Sequence, residues 1–122
     1  MIEHSLDMQN GVLHLYPRDA LDTDDFAELS QVVDPYILEH GGLNGLMIEA
    51  DAFPGWDTFG AMVAHFRFVK DHHRAIRKVA LVTDSPVGGA LEHLASHFVS
   101  AKIKHFGMIN REAAKSWVTS PA

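Results

Sequence analysis

Nine histidines and no cysteine leave imidazole, carboxylate and hydroxyl groups as the available chemistry. Thiolate metal sites, disulfides and cysteine nucleophiles are excluded. His93 and His97 stand four apart on a predicted helix, so they share a face and could chelate a metal. No third ligand follows from the spacing. Glu92 precedes His93, and the metalloprotease order His-Glu-x-x-His is absent. His72 and His73 are adjacent and point apart on a helix. The histidines therefore read as scattered surface and half-buried groups that change charge between about pH 5 and 8. No serine sits in a Gly-x-Ser-x-Gly elbow, and no carboxylate pair stands out. The expectation is a non-enzyme with no metal and no cofactor. A hydrolase built on histidine and a carboxylate is the distant alternative.

Binding chemistry is better placed. Asp51-Ala52-Phe53-Pro54-Gly55-Trp56 follows a predicted strand at the sheet end where ligands of α/β folds bind. Phe53 and Trp56 form an apolar lip, with Met62 and Phe66 deeper along the next helix. These four either line a pocket for an acyl or aromatic ligand or close the core over the sheet. Asp84-Ser85-Pro86 is a second strand-to-helix turn at the same end, followed by Gly88-Gly89. Its free N–H groups suit an anion, such as the head group of an amphiphile, or an ordinary helix cap. The basic run Lys70-Asp71-His72-His73-Arg74 with Arg77-Lys78 reads as a solvated helix end, or as a contact for an anionic partner or membrane surface.

These residues hang on a readable series of elements. Ile2 to Met8 and Val12 to Tyr16 read as a hairpin around Asn10-Gly11. A helix starts at Asp22 or Thr23, with Asp24 and Asp25 in its first turn. Phe26, Leu29, Val33, Tyr36 and Ile37 mark its buried stripe, Pro35 predicts a kink or split, and Gly41-Gly42 ends it. Gly45 to Ala50 is a third strand. Asp57 is expected to cap a helix reaching about His73, with Phe59, Met62, Val63, Phe66 and Val69 inward. Lys78 to Thr83 is a fourth strand. A helix after Ser85 carries Leu91, Leu94, Ala95 and Phe98. Ala101 to Phe106 alternates like an edge strand. Asn110 caps a last helix with Ala113, Ala114 and Trp117 near one face, and Thr119 to Ala122 reads as a frayed tail. The order β-β-α-β-α-β-α-β-α predicts one α/β domain, a mostly parallel sheet with an antiparallel first strand and about four helices.

The chain has 122 residues, 47% of them hydrophobic and 21% charged, which suits one domain over residues 1–122. Ten Lys and Arg against sixteen Asp and Glu give a net charge of −6, which argues against nucleic acid. The first residues do not read as a signal peptide, and no apolar run approaches the ~20 residues of a membrane span. A cytoplasmic protein without stable membrane insertion is expected.

Phe53-Pro54-Gly55-Trp56, Lys78-Val79-Ala80-Leu81-Val82-Thr83-Asp84, Lys104-His105-Phe106 and Glu112-Ala113-Ala114-Lys115-Ser116-Trp117 resemble segments of the small bacterial SpoIIAA-like, STAS-type proteins. The element order resembles the SpoIIAA-like fold shared by STAS and CRAL-TRIO lipid-binding domains. The resemblance implies no established enzymatic activity. It also implies where a phosphorylated serine of the STAS anti-sigma factor antagonists would fall, at the start of the helix after the third strand. Here Ala52 and Phe53 lack the hydroxyl, Thr58 is the nearest one, and the phospho-switch does not carry over.

The function expected is a non-enzymatic binding or regulatory module of STAS type. It would take a small apolar or amphipathic, lipid-like ligand at the strand C-terminal end through Phe53, Trp56, Met62 and Phe66. Asp84 and Ser85 would form the polar end. A protein-interaction domain without a small ligand is the alternative. A protein partner or a homodimer is compatible with an open edge strand or helix face.

Overall fold

β1 (Ile2–Asp7) and β2 (Val12–Pro17) form the antiparallel hairpin that opens the chain. Asp7 builds its turn: the carboxylate accepts the N–H groups of Gln9 and Asn10 at 3.1 Å and the Asn10 side-chain amide at 2.8 Å. Those donors, the Asn10 amide first, hold the Asp7 carboxyl below its ordinary range. Gly11 closes the turn at φ 68°, with the Tyr36 hydroxyl 2.8 Å from where a Cβ would stand. The structure is a computed structural model that describes residues 1–51, 55–84 and 101–121. The helix expected after Ser85 lies outside the described residues.

α1 (Thr23–His40) begins in a reciprocal cap. Asp22 accepts the Asp25 N–H at 2.8 Å, and Asp25 accepts the Asp22 N–H at 2.9 Å. Asp25 is buried and also takes the Ile2 N–H at 3.1 Å, which ties β1 to the helix start. The helix ends at Gly41, φ 84°. It is not split at Pro35: Leu29, Val33 and Tyr36 on either side are buried, and their packing holds both turns in place.

β3 (Leu43–Glu49), α2 (Phe59–His72), a 3₁₀ turn (His73–Ala75), β4 (Ile76–Val82), β5 (Lys102–Phe106), a second 3₁₀ turn (Met108–Asn110) and α3 (Arg111–Thr119) follow. The sheet order is β1-β2-β3-β4-β5, with β1 antiparallel to β2 and every other pair parallel. The α/β class, the mixed sheet and the edge strand are as the sequence predicts. No helix among the described residues is long and apolar enough to cross a membrane.

Leu13, Leu15, Leu46 and Val79 face α1 and α2 in the larger of two apolar clusters, with Phe26, Leu29, Val33 and Val69. Val12, Met47, Ala80, Val82 and Phe106 face α3 in the smaller one, with Ala114 and Val118. α3 lies so close to β3 that a Cβ on Gly45 would come within 2.8 Å of the Val118 carbonyl oxygen.

Five local expectations need correction. Thr58, not Asp57, caps α2, accepting the Ala61 N–H at 3.0 Å. α2 buries Ala61, Val69 and His72, while Phe59, Val63 and Phe66 are exposed. Its apolar residues surround the helix, and the face with small Ala61 and Ala64 permits the closer approach to the core. Lys78 is not on a solvated patch; it is 5% exposed beneath α3. Asn110 occupies the N-cap position without making a side-chain cap, and α3 buries Ala114 and Val118 while Ala113 is exposed. The segment after α3 is held rather than frayed: Lys78 Nζ donates to the carbonyls of Trp117 and Ser120 at 3.0 Å and to Ser120 Oγ at 2.7 Å.

Candidate functional site

Gly55, at φ 81°, lets the segment after β3 turn back against the stretch before α1. Leu21 N–H donates to the Gly55 carbonyl at 2.8 Å, and Asp57 N–H donates to the Leu21 carbonyl at 3.0 Å. This bridge fixes Trp56 over the start of α2. Trp56 Nε1 then donates to His65 Nδ1 at 3.0 Å, so the His65 proton sits on Nε2. The His65 ring stacks on Phe26, 4.9 Å between centroids, and Phe66 meets Trp56 edge-on at 5.8 Å. His65 thus couples the aromatic rim to the core, a role that sequence reading missed. A histidine about two turns into the helix that follows a tryptophan-bearing loop was the available signal.

The structure brings Trp56 and Phe66 together and leaves Met62 half-buried on the same helix. Phe53 and Ser85 lie outside the described residues. Asp84 Oδ1 accepts the Met108 N–H at 2.9 Å, so the carboxylate caps the turn after β5. The polar end expected from Asp84 is therefore engaged at the β5 side.

Beyond Phe66 the outer face of α2 opens into a groove of about 410 Å³, lined by Val63, Phe66, Arg67, Lys70 and Asp71. Phe59 is 76% exposed, and Val63 and Phe66 are each 37% exposed. At positions i, i+4 and i+7 these three form one stripe, continuous with the cations of the groove. The described face of α2 thus leaves three large apolar side chains at solvent.

The histidines offer less to catalysis. His72 Nε2 meets Asp34 Oδ1 at 2.6 Å and its Nδ1 meets the Phe68 carbonyl at 2.7 Å, so both ring nitrogens are engaged. A histidine held on both sides has no nitrogen left to activate a nucleophile. His93 and His97 lie outside the described residues. Among the described residues no three His, Asp or Glu side chains gather at a metal-sized site.

The family description SpoIIAA-like matches residues 12–119. The chain belongs to the SpoIIAA-like family. The crystal structure of an uncharacterized protein from Shewanella loihica PV-4 with a SpoIIAA-like fold is similar to it, with a TM-score of 0.73. The two sequences are 14% identical, and the likeness covers 97% of this chain and 92% of that one. At that identity the likeness speaks for the SpoIIAA-like fold alone. No curated protein matches the chain. The Thr58 hydroxyl is committed to capping α2 of this SpoIIAA-like domain.

Proposed function

We propose that this protein is a non-enzymatic binding module, acting in the cytoplasm, that holds a small lipid-like anion against the outer face of α2. The stripe Phe59–Val63–Phe66, exposed beside Trp56 and running into Arg67 and Lys70, carries the reading. An acyl chain laid along Val63 and Phe66 removes apolar surface from water, about 0.8 kcal/mol per buried methylene. Its carboxylate then faces Arg67 and Lys70, two cations against the single opposing carboxylate of Asp71. The likeness of STAS-type folds to CRAL-TRIO lipid-binding domains supports the same ligand class by analogy. The polar end of the site moves from Asp84 and Ser85 to the α2 cations.

Dodecanoate is the test ligand. It is expected to raise the thermal unfolding midpoint of the wild type, because a ligand that binds only the folded state stabilises it. Arg67→Gln with Lys70→Gln reduces that rise, and Val63→Ser abolishes it. No shift with dodecanoate, and no lipid in extracts of gently purified protein, overturns the proposal.

A second reading has its own observation. The groove is open, and its apolar residues recur at helical spacing, which suits a partner helix as well as a small molecule. A protein-interaction module predicts a stable partner that Val63→Ser removes while dodecanoate has no effect. A second copy of the chain seated there would appear as a concentration-dependent homodimer.

A further inference from the structure

The basic run from Lys70 to Lys78 is used only in part by the lipid-like reading, and the fold divides it. Lys70 lines the α2 groove, His72 holds Asp34, and Lys78 is buried under α3. Arg74 and Arg77 instead line a second cavity, of about 370 Å³, at the N-terminal ends of β3 and β4. Its walls are the β1–β2 turn, the end of α1 with Gly41-Gly42, and the 3₁₀ turn that leads into β4. Main chain ties these walls together. The Gly11 carbonyl accepts the Asn44 N–H at 2.8 Å and the Gly45 N–H at 3.2 Å, which docks the hairpin turn on β3. Gly42 lies so close to the 3₁₀ turn that a Cβ there would stand 2.8 Å from the Ala75 carbonyl oxygen.

The chemistry of this cavity is one-sided. Two guanidinium groups and the His40 imidazole line it, and none of its twelve lining residues is Asp or Glu. In a chain with sixteen acids against ten Lys and Arg, that is a local reversal of sign. His40 is set in place by stacking on Tyr36, 4.2 Å between ring centroids. Glu39 stands just outside, with Oε2 3.9 Å from His40 Nε2, beyond hydrogen-bond reach. The amide nitrogens of Asn10 and Asn44 are spent on Asp7 and on the carbonyls at the end of α3, which leaves their oxygens as acceptors. Leu43 and Ala75 are the only aliphatic side chains among the lining residues. An acyl chain finds little to cover there, whereas a hydroxylated body finds partners.

We propose that this cavity binds a small phosphate ester with a hydroxylated body. Arg74 and Arg77 hold the phosphate, and the body lies against His40 and Tyr36. Guanidinium forks match phosphate oxygens in pairs, and a dianion suits two of them. The volume exceeds that of a bare phosphate and falls among small-molecule clefts, about 300–1,000 Å³. Cations also gather at this edge because α1 and α2 both end here, and a helix C-terminus favours positive charge. Helix ends alone do not account for Arg77, the second residue of β4.

The probe is ribose 5-phosphate, titrated at fixed ionic strength while the His40 ring signals are followed by NMR. A saturable His40 shift is expected. Ribose should give none, and inorganic phosphate should bind more weakly because it makes only the charged contacts. Arg74→Gln and Arg77→Gln should each weaken ribose 5-phosphate binding about tenfold, the loss of one charge-assisted contact. Both side chains are exposed, so the variants keep the fold. Arg67→Gln with Lys70→Gln, which disables the α2 groove, should leave this binding unchanged, so the two sites stand or fall separately. A His40 shift that does not saturate with ribose 5-phosphate overturns the proposal. So does binding that Arg74→Gln with Arg77→Gln retains, or an equal response to ribose.

Discussion

On the α1 and α2 side of the sheet the strands present Leu13, Leu15, Leu46 and Val79 to two long helices. On the other side β3 and β4 present Lys78 and Glu49 beside a smaller apolar cluster, and one short helix covers them. The first face is held by buried apolar area and capped by its own local residues, Asp22 and Thr58. The second holds α3 on a smaller apolar cluster, and polar contacts add to it. Polar groups on β3 and β4 meet the helix at both ends. Glu49 takes Arg111 at its start. At its end Lys78 serves Trp117 and Ser120, and Asn44 adds the carbonyls of Val118 and Thr119 at 3.4 and 3.3 Å. One sheet thus stabilises two layers by different means.

The contrast can be broken by substitution. Leu13→Ala should have the largest effect, destabilising by about 3 kcal/mol in urea titration through lost burial and a cavity. Lys78→Met keeps the length of the side chain but removes the ammonium from three carbonyls and a hydroxyl, of which the Trp117 carbonyl keeps Ser120 Oγ and the Ser120 carbonyl keeps the Asn44 amide as donor. A loss of about 2 kcal/mol is expected. An unchanged or raised midpoint would show that apolar contact alone seats α3, as some buried charges allow.

Asp25 should matter less. Burial pushes its carboxyl up, but the N–H groups of Asp22 and Ile2 and the terminal ammonium outweigh burial and hold it below the ordinary value. A depressed folded value contributes stability that is complete above the unfolded value of about 3.9 and lost as pH falls through the folded one. Asp25→Asn should therefore cost about 1 kcal/mol near neutrality and flatten the acid side of the pH–stability curve. Phe59→Ser should have the smallest effect, within about 0.5 kcal/mol, because that ring is at solvent. A larger loss would return the α2 stripe to the core.

Sequence reading located most of the elements because their signals are local. Asn10-Gly11 marks the hairpin, Asp22 the start of α1, and Gly41 its end. α2 resisted because Phe59, Val63 and Phe66 compete with Ala61, Phe68 and Val69 on the opposite side. Helical period cannot choose between two apolar faces. Lys78 and Glu49 resisted for another reason. Their partners stand 42 and 62 residues away, at Ser120 and Arg111, and only the fold brings them near. Trp56 was legible as a site residue from its loop. Its dependence on His65, and the cations beyond Phe66, required the orientation of α2.

The clasp of Lys78 on the end of α3 also sets an order of assembly. β4 must pair with β3 before its lysine and the Asn44 amide stand side by side, and the loop that α3 closes is long. Until the helix arrives with its carbonyls, the ammonium keeps its water, since stripping it alone is costly. Dehydration of the lysine and docking of the helix are then one event. Half-seated arrangements of α3 are disfavoured.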